Sequence, residues 1–330
     1  MYQHHELIYR LADGRFHSGQ ELGRLLEVTR SSVWKKLQQI KQRYNLEIDA
    51  VSGRGYRLRE PLDLLNHQTI LSLLRTEGIA PLPALELHPS IDSTNSWMMK
   101  QGANGAETGA VCVAEQQVAG KGRHGRTWVS PFGRNIYLSM LWRFEEPPMQ
   151  LAGLSLASAI AVLRLLHQLK CDQAGLKWPN DVLWQGKKLA GLLLEVAGEA
   201  GGPSQVVIGI GLNTWLGSHG EDIDQPWIDL NSIPNIEPST RNQLVAKLVR
   251  HLRDVIGEYQ VAGLESFIEE WHRHDLLLGQ QVVIRSHNRE HAGEHLGIDD
   301  NGAIRLHCDG KERSFHAGEV SLRRLADELS

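Results

Sequence analysis

Cysteine is scarce in this chain, and what there is has no local partner. Cys112, Cys171 and Cys308 are the only three in 330 residues, far apart and without a C-x-x-C pair. Such usage fits a reducing compartment and argues against a disulfide-stapled protein or a zinc ribbon. Long uninterrupted apolar runs are missing too. The most apolar stretch, residues 151–169, is broken by Ser155, Ser158, Arg164 and His167, so it reads as a buried or amphipathic helix and not as a membrane span. Met1 is followed by Tyr-Gln-His-His-Glu, which lacks the apolar core of a secretory signal. A cytoplasmic protein with no membrane partner is expected.

What is present is unevenly spread. The length suggests two or three domains, and 41% hydrophobic residues can bury a sizeable core. The formal net charge is −4, yet residues 1–60 hold eleven Lys/Arg against seven Asp/Glu, leaving 24 against 32 for the remainder. A basic N-terminal piece on an acidic body points to nucleic-acid contact confined to the first sixty residues.

The densest local pattern is E-Q-Q-V-A-G-K-G-R-H-G-R-T-W, Glu115 to Trp128. An apolar run at 110–114 leads in as a buried strand, and residues 135–140 lead out as another. Gly120, Gly122 and Gly125 satisfy G-x-G-x-x-G, but a dinucleotide fingerprint needs a helix to open directly after the glycines. Ser130, Pro131 and Gly133 followed by a strand exclude that reading. A cationic glycine loop between strands reads instead as a flexible lid that closes over an anion; the alternative is a basic surface hairpin.

The first sixty residues read as a winged helix-turn-helix. Leu7, Ile8 and Leu11 mark a short helix ended by Asp13-Gly14. Ser18-Gly19-Gln20-Glu21 has the form of a capping box, followed by Leu22, Leu25 and Leu26 as one apolar face. Thr29 or Ser31 caps the next helix, where Val33, Leu37 and Ile40 face inward while Ser31, Ser32, Lys35 and Lys36 lie off that stripe and Trp34 flanks it. The helix-turn-helix runs from Gly19 to Gln38, and the strands at 46–51 and 56–58 form a wing with Arg54 at its tip. A helical docking module without a DNA role is the competing reading.

In the middle of the chain, Glu60-Pro61 and Pro81-Leu82-Pro83 bracket a linking helix at 68–75. Ser93, Thr94, Asn95 and Ser96 can line the polar end of a pocket, or one of them can cap a helix starting near Trp97. L-K-W-P-N-D at 176–181 sets a Lys, a Trp and an Asn around a proline turn. K-K-L-A-G at 187–191 runs into a buried strand at 192–196. V-V-I-G-I-G-L-N at 206–213 is another strand, with glycines where a backbone or ligand comes close.

D-S-T-N at 92–95, the G-K-G-R-H-G-R loop at 120–126, K-W-P-N-D at 177–181, K-L-A-G at 188–191 and G-I-G-L-N at 209–213 follow one another in a specific order. Together with the head, they make the chain resemble a bifunctional biotin protein ligase and biotin operon repressor over nearly its whole length. Each motif alone is weak; the combination is highly specific. Lys121 stands where the family's loop usually has Arg, which keeps the charge without the planar fork, and His124 stands where many members carry another Arg.

The resemblance implies an α+β protein of three parts: a winged helix-turn-helix at 1–62, a central mixed α/β catalytic domain of biotin/lipoate-ligase type at 66–275, and an SH3-like β-barrel at 277–330. It implies formation of biotinyl-5′-AMP from biotin and ATP, with Mg²⁺ retained mostly by the phosphates. Biotin then passes to a lysine of the biotin carboxyl carrier protein of acetyl-CoA carboxylase. Lys188 would bridge the biotin carboxylate and the α-phosphate, and Arg123, Arg126 and Lys177 would hold phosphates. Ser93, Thr94, Asn95 and Gln117 would hydrogen-bond the ureido ring, while Lys121, Gly122 and Arg123 close over the biotin. Asn180, Asn213 and Trp227 fall at the adenylate end, Trp227 in a 217–227 region that orders on binding. The carrier lysine is the nucleophile, so the enzyme needs none of its own. With biotinyl-AMP bound, an exposed sheet edge would form a homodimer that binds operator DNA, and the carrier protein would use the same face. A lipoate protein ligase and a non-catalytic ligand-sensing repressor are the alternatives.

His287, His291 and His295 fall at i, i+4, i+8, which would align them on a helix for a metal. Residues 281–285 and 303–307 read instead as strands joined through 299–302, so a small barrel is expected and a metal site is not. Trp271-His272-Arg273-His274 reads as a helix end.

Overall fold

The computed structural model describes residues 2–79, 81–221, 223–286, 289–317 and 321–324. The head consists of α1 (Tyr2–Leu11), α2 (Gly19–Leu25), α3 (Arg30–Tyr44) and the antiparallel hairpin β1 (Ile48–Val51) and β2 (Gly55–Leu58). Leu7, Ile8, Leu11, Leu22, Val33, Leu37 and Ile40 form its core, as the helical spacing requires. Thr29 caps α3 by accepting from Ser32 N at 3.2 Å. Ser18 caps α2 in the same manner, accepting from Glu21 N at 3.1 Å. The reciprocal half of the capping box is not made: the Glu21 carboxylate accepts from Arg10 Nη2 at 2.6 Å and lies 3.1 Å from His17 Nδ1. Leu25 also departs from the expected apolar face and is 44% exposed. Arg54 does not stand free at the wing tip; its guanidinium lies 4.2 Å from the centre of the Phe16 ring.

The central part contains α4 (His67–Thr76), β3 (Leu85–His88), α5 (Thr94–Ala103), β4 (Val111–Ala114), β5 (Ile136–Phe144), α6 (Leu154–Gln168), β6 (Ala174–Lys177), β7 (Asp181–Trp184), β8 (Lys187–Gly198), β9 (Ser204–Leu212), α7 (Arg241–Ala262) and α8 (Glu265–His274). Seven strands form one sheet in the order β3-β4-β5-β9-β8-β7-β6, parallel only between β3 and β4. The period-two alternation of β9 decides what each face does. Val206, Ile208, Ile210 and Leu212 join the large core built with α6 and α7, whereas Val207 packs in a small cluster with Met98 and Trp97 of α5. Gly209 and Gly211 share that second, thinly covered face. α6, the most apolar stretch of the sequence, is buried on almost every side, which a membrane span in water would not be. No helix among the described residues is long and apolar enough to cross a membrane.

Two expectations need correction here. α5 begins at Thr94, three residues before Trp97, so Thr94 and Asn95 sit in its first turn. The strand at 192–196 is not buried throughout: β7 pairs with β8 only up to Gly191, Leu192 N still donates to the Asn180 carbonyl at 3.1 Å, and Val196, farther along where the ladder is with β9, is 44% exposed.

The C-terminal part is a five-stranded antiparallel sheet, β13-β12-β11-β10-β14, made of β10 (Gln281–Ser286), β11 (Arg289–Ile298), β12 (Ile304–Cys308), β13 (Lys311–Phe315) and β14 (Ser321–Arg324). The turn at 299–302 joins β11 to β12, so the strand β11, hidden by its histidines and charges, lies between the two strands read from the sequence. His291 and His295 are on β11, not on a helix, and His287 lies outside the described residues. His295 is fully buried with Nε2 2.7 Å from the Asp275 carboxylate. Trp271 to His274 form the end of α8, as expected.

Candidate active site

The site lies on the face of the sheet that carries Gly209 and Gly211. A side chain at either glycine would collide with its surroundings: a Cβ at Gly209 would meet Asn95 Oδ1 at 1.9 Å, and one at Gly211 would meet the Trp128 ring at 2.3 Å. The glycines are therefore required by close approach and not by backbone angle. The space above them is taken by Asn95 of α5 on one side and Trp128 of the loop that follows β4 on the other.

The Asn95 end of this region is polar. Ser93 caps α5 by accepting from Ser96 N at 3.4 Å, which accounts for one of the four small polar side chains. Gln117 Oε1 accepts from Thr94 N at 2.9 Å and from Thr94 Oγ1 at 3.1 Å, and Gln117 Nε2 donates to Ser130 Oγ at 3.2 Å. Asn95 Nδ2 donates to the Leu193 carbonyl at 3.0 Å, while its Oδ1 accepts from Ser139 Oγ at 2.6 Å. Ser139 is a member of this recess that sequence reasoning did not single out. Lying mid-strand between apolar residues, it gives a signal only as an isolated hydroxyl in a run that is otherwise buried.

The other end is cationic. Lys188, at the start of β8, is largely buried, and its Nζ lies 2.7 Å from Asp181 Oδ1. The same ammonium is 5.4 Å from the centre of the Trp128 ring. Burying an ammonium requires a partner, and Asp181 of the K-W-P-N-D motif is that partner. Neither Asp181 nor Trp128 was assigned a role from sequence, although both flank motifs that were. The backbone of Lys188 is fixed on both sides, its N donating to the Pro226 carbonyl at 2.9 Å and its carbonyl accepting from Ile228 N at 3.0 Å. Trp227 thus stands beside Lys188, its Nε1 donating to the Gly220 carbonyl at 2.9 Å. Asn213 Nδ2 donates to the Ile228 carbonyl at 3.2 Å and so holds the same segment.

The glycine loop spans both ends. It contains one 3-10 turn, Arg123–Gly125, closed by Arg126 N donating to the Arg123 carbonyl at 3.1 Å, and Gly122 N donates across the loop to the Arg126 carbonyl at 2.7 Å. Lys121 reaches Glu195 at 3.6 Å, near the polar recess. Arg123 turns toward the cationic end, donating to Asn180 Oδ1 at 3.4 Å and to the Ala317 carbonyl just after β13. Burial presses its guanidinium below the ordinary range, while Asp181 opposes the shift. Arg126 is exposed, and Lys177 ends β6 opposite Asp181 in the β6–β7 pairing. Trp178 leaves the site altogether: fully buried, it donates its indole N–H to the Gly302 carbonyl at 3.0 Å and pins the C-terminal sheet. All three cysteines are buried. Burial raises the Cys171 thiol to about 11 and Cys112 well above its ordinary value, so neither supplies a thiolate.

A largely buried ammonium between a polar recess and an arginine-bearing loop is an arrangement suited to holding anions together. Such an arrangement fits an adenylate-forming ligase, here carrying a winged-helix head. Residues 87–213 match the biotin/lipoate A/B protein ligase family, residues 4–57 an HTH domain, and residues 277–323 the biotin protein ligase C-terminal domain. The chain is 38% identical to the bifunctional ligase/repressor BirA of Escherichia coli K12 over 96% of both chains. It is 34% identical to the biotin–[acetyl-CoA-carboxylase] ligase of Mycobacterium tuberculosis over 80% of this chain and 97% of that one. Its fold matches the biotin protein ligase from Aquifex aeolicus in complex with biotin and ATP, with a TM-score of 0.64 and 26% identity over 73% of this chain and 99% of that one. The chain belongs to the family of bifunctional biotin protein ligases and repressors. It is an ATP-dependent biotin ligase with a DNA-binding repressor head, and its substrates are biotin and ATP.

Proposed function

We propose that the ligase works by electrostatic assembly at Lys188. The observation that carries this reading is the Lys188 ammonium, 2.7 Å from Asp181 and beneath the loop that holds Arg123. Biotin enters with its ureido ring in the recess of Ser93, Thr94, Asn95 and Gln117 and its carboxylate toward Lys188. A biotin carboxylate oxygen attacks the α-phosphorus of ATP, and pyrophosphate leaves. Lys188 faces both anions, Arg123, Arg126 and Lys177 face the phosphates, and preorganised cations at such a point favour the transition state. Asn180, Asn213 and Trp227 position the nucleotide, and Lys121 and Gly122 close over the biotin. In the second step a carrier lysine, as the free amine, attacks the acyl carbon; the C–N bond forms, AMP leaves with the bonding pair, and the amine proton is lost. The carrier is the biotin carboxyl carrier protein of acetyl-CoA carboxylase, acted on in the cytoplasm.

Mg²⁺ fits as a companion of ATP. The carboxylate at the site, Asp181, already faces Lys188, and no group of three or more metal-binding side chains occurs among the described residues. An ion held chiefly by phosphate oxygens and neutralising their charge is the arrangement these residues suit.

In this reading residues 1–62, 66–275 and 277–330 act as head, catalytic body and C-terminal cap. The outer edge of β8 beyond Leu193, paired with β9 among the described strands, is suited to pair with a second copy of itself or with the carrier protein, one excluding the other. Biotinyl-AMP favours the dimer, and the dimer presents two heads to the operator through α3 and the wing, with Lys35 and Arg54 at the phosphates. Sedimentation should show association strengthening with biotinyl-AMP by about 5-fold or more; an association constant indifferent to the ligand would overturn the switch and leave the ligase intact.

Titration calorimetry tests the core of the proposal. Biotin alone binds, and biotin with ATP gives a far more tightly held complex; binding indifferent to ATP would leave only a sensor. The lid has its own test. In Arg123→Ser, adenylate should still form but escape, and lysines of unrelated bystander proteins should acquire biotin. An intermediate that stays bound as long as in the parent would show that the loop retains nothing.

A further inference from the structure

One stem of the lid loop packs into the DNA-binding head, and the other meets the chain just beyond it. Phe132, six residues after Arg126, belongs to the head's hydrophobic core together with Leu62 and Leu64, and its ring centre is 4.7 Å from that of Tyr44. Tyr44 is the last residue of α3, the helix that would read DNA. On the entering stem, Glu115 accepts from Leu65 N at 2.6 Å, directly after the head, and from Arg241 Nη1 at 2.6 Å.

Arg134 completes the junction. Its side chain is only 5% exposed, yet its one carboxylate partner among the described residues is Glu60 at 2.5 Å, which is 55% exposed and lies on the segment leaving the wing. The guanidinium stacks 4.1 Å from the centre of the Trp215 ring. Trp215 opens the segment that runs on to Trp227, and Thr214 beside it donates to the Arg134 carbonyl. Two guanidinium nitrogens, Nε and Nη1, are buried without a partner. A buried charge with one exposed counter-ion and unsatisfied donors is expensive to keep in place. A contact serving only to glue two domains together would not need one. Placed where the lid stem, the nucleotide segment and the head meet, such a group is suited to moving between two arrangements.

We propose that Arg134 and Phe132 form a relay within a single chain, by which ordering of the lid and of the 214–227 segment around biotinyl-AMP stiffens the head through Glu60 and Tyr44 before a second protomer arrives. The ligand then acts on the head twice, once inside the chain and once by bringing two heads together. Arg134, Phe132, Glu60 and Tyr44 are positioning residues and touch no substrate. The inference rests on the adenylate-retaining lid proposed above.

Amide hydrogen exchange reads the relay directly, because it reports local opening. The full chain is held at a concentration where sedimentation of the same sample shows monomer, with and without biotinyl-AMP. Exchange across α3 should slow by about 5-fold or more on adding the ligand. In Glu60→Gln, a substitution at a half-exposed position, and in Phe132→Leu, the slowing should vanish while the initial rate of adenylate formation stays within about 2-fold of the parent. Protection of α3 that appears only in the dimer, or that survives in both variants, would overturn the relay. Failure of the parent chain to retain biotinyl-AMP at all would instead count against the lid.

Discussion

With Lys188 changed to Ala, biotinyl-AMP forms about 10²–10³-fold more slowly, the loss typical when one preorganised electrostatic group is removed. Biotin binding falls far less, because Ser93, Thr94, Asn95 and Gln117 are at the other end of the site and make their hydrogen bonds without Lys188. The split between the two quantities is the informative part. A lysine that merely shaped the pocket would weaken binding and rate together. Asp181 sharpens the expectation: in the Ala variant its carboxylate loses the ammonium 2.7 Å away and faces incoming phosphates with uncompensated charge. Rapid-quench measurement of adenylate checks the rate, and calorimetry with biotin alone checks the binding. Near-normal adenylation would remove Lys188 from the centre of the reaction.

The second large effect belongs to the head. Reversing charge at both Lys35 and Arg54, as Lys35→Glu with Arg54→Glu, abolishes operator binding at physiological salt and makes the salt dependence of the residual binding shallower by about two ion equivalents. Ligation of biotin is unchanged, since neither side chain touches the catalytic body. Lys35 lies on α3 away from Val33, Leu37 and Ile40, which are committed to the core. Arg54 stacks on Phe16, a contact that holds the guanidinium at the wing without neutralising it. Electrophoretic mobility across a salt series is the measurement. Undiminished binding with both charges reversed would mean that DNA is gripped elsewhere.

Much of this was legible in the sequence, and the reasons are local. The head could be read because Leu7, Val33, Leu37 and Ile40 keep strict helical spacing and because Thr29 caps α3. The lid could be separated from a nucleotide fingerprint because no helix follows Gly125. Illegible features depend on contacts between distant residues. Glu21 reads as half of a capping box until Arg10 and His17 draw its carboxylate away. β11 carries charges and histidines on a narrow sheet, so its strand character comes from pairing with β10 and β12. The length of paired edge on β8 is set by where β7 begins, at Asp181 opposite Gly191, and nothing in residues 192–198 announces it. In the site, motif spacing pointed to the cations, whereas Ser139 and Trp128 enter only because β5 and the loop fold over the glycines of β8 and β9. The partnership of Arg134 with Glu60 across 74 residues has no sequence signature at all.

Transfer of biotin to carrier protein is the most direct test of the whole account. The purified chain is incubated with biotin, ATP, Mg²⁺ and the unbiotinylated biotin carboxyl carrier protein, and the carrier is resolved by electrophoresis and probed for biotin. The account predicts biotin labelling of one carrier lysine that requires ATP and is not diminished by excess lipoate added beside biotin. A carrier that stays unlabelled in the complete mixture, or that is labelled equally without ATP, would contradict it.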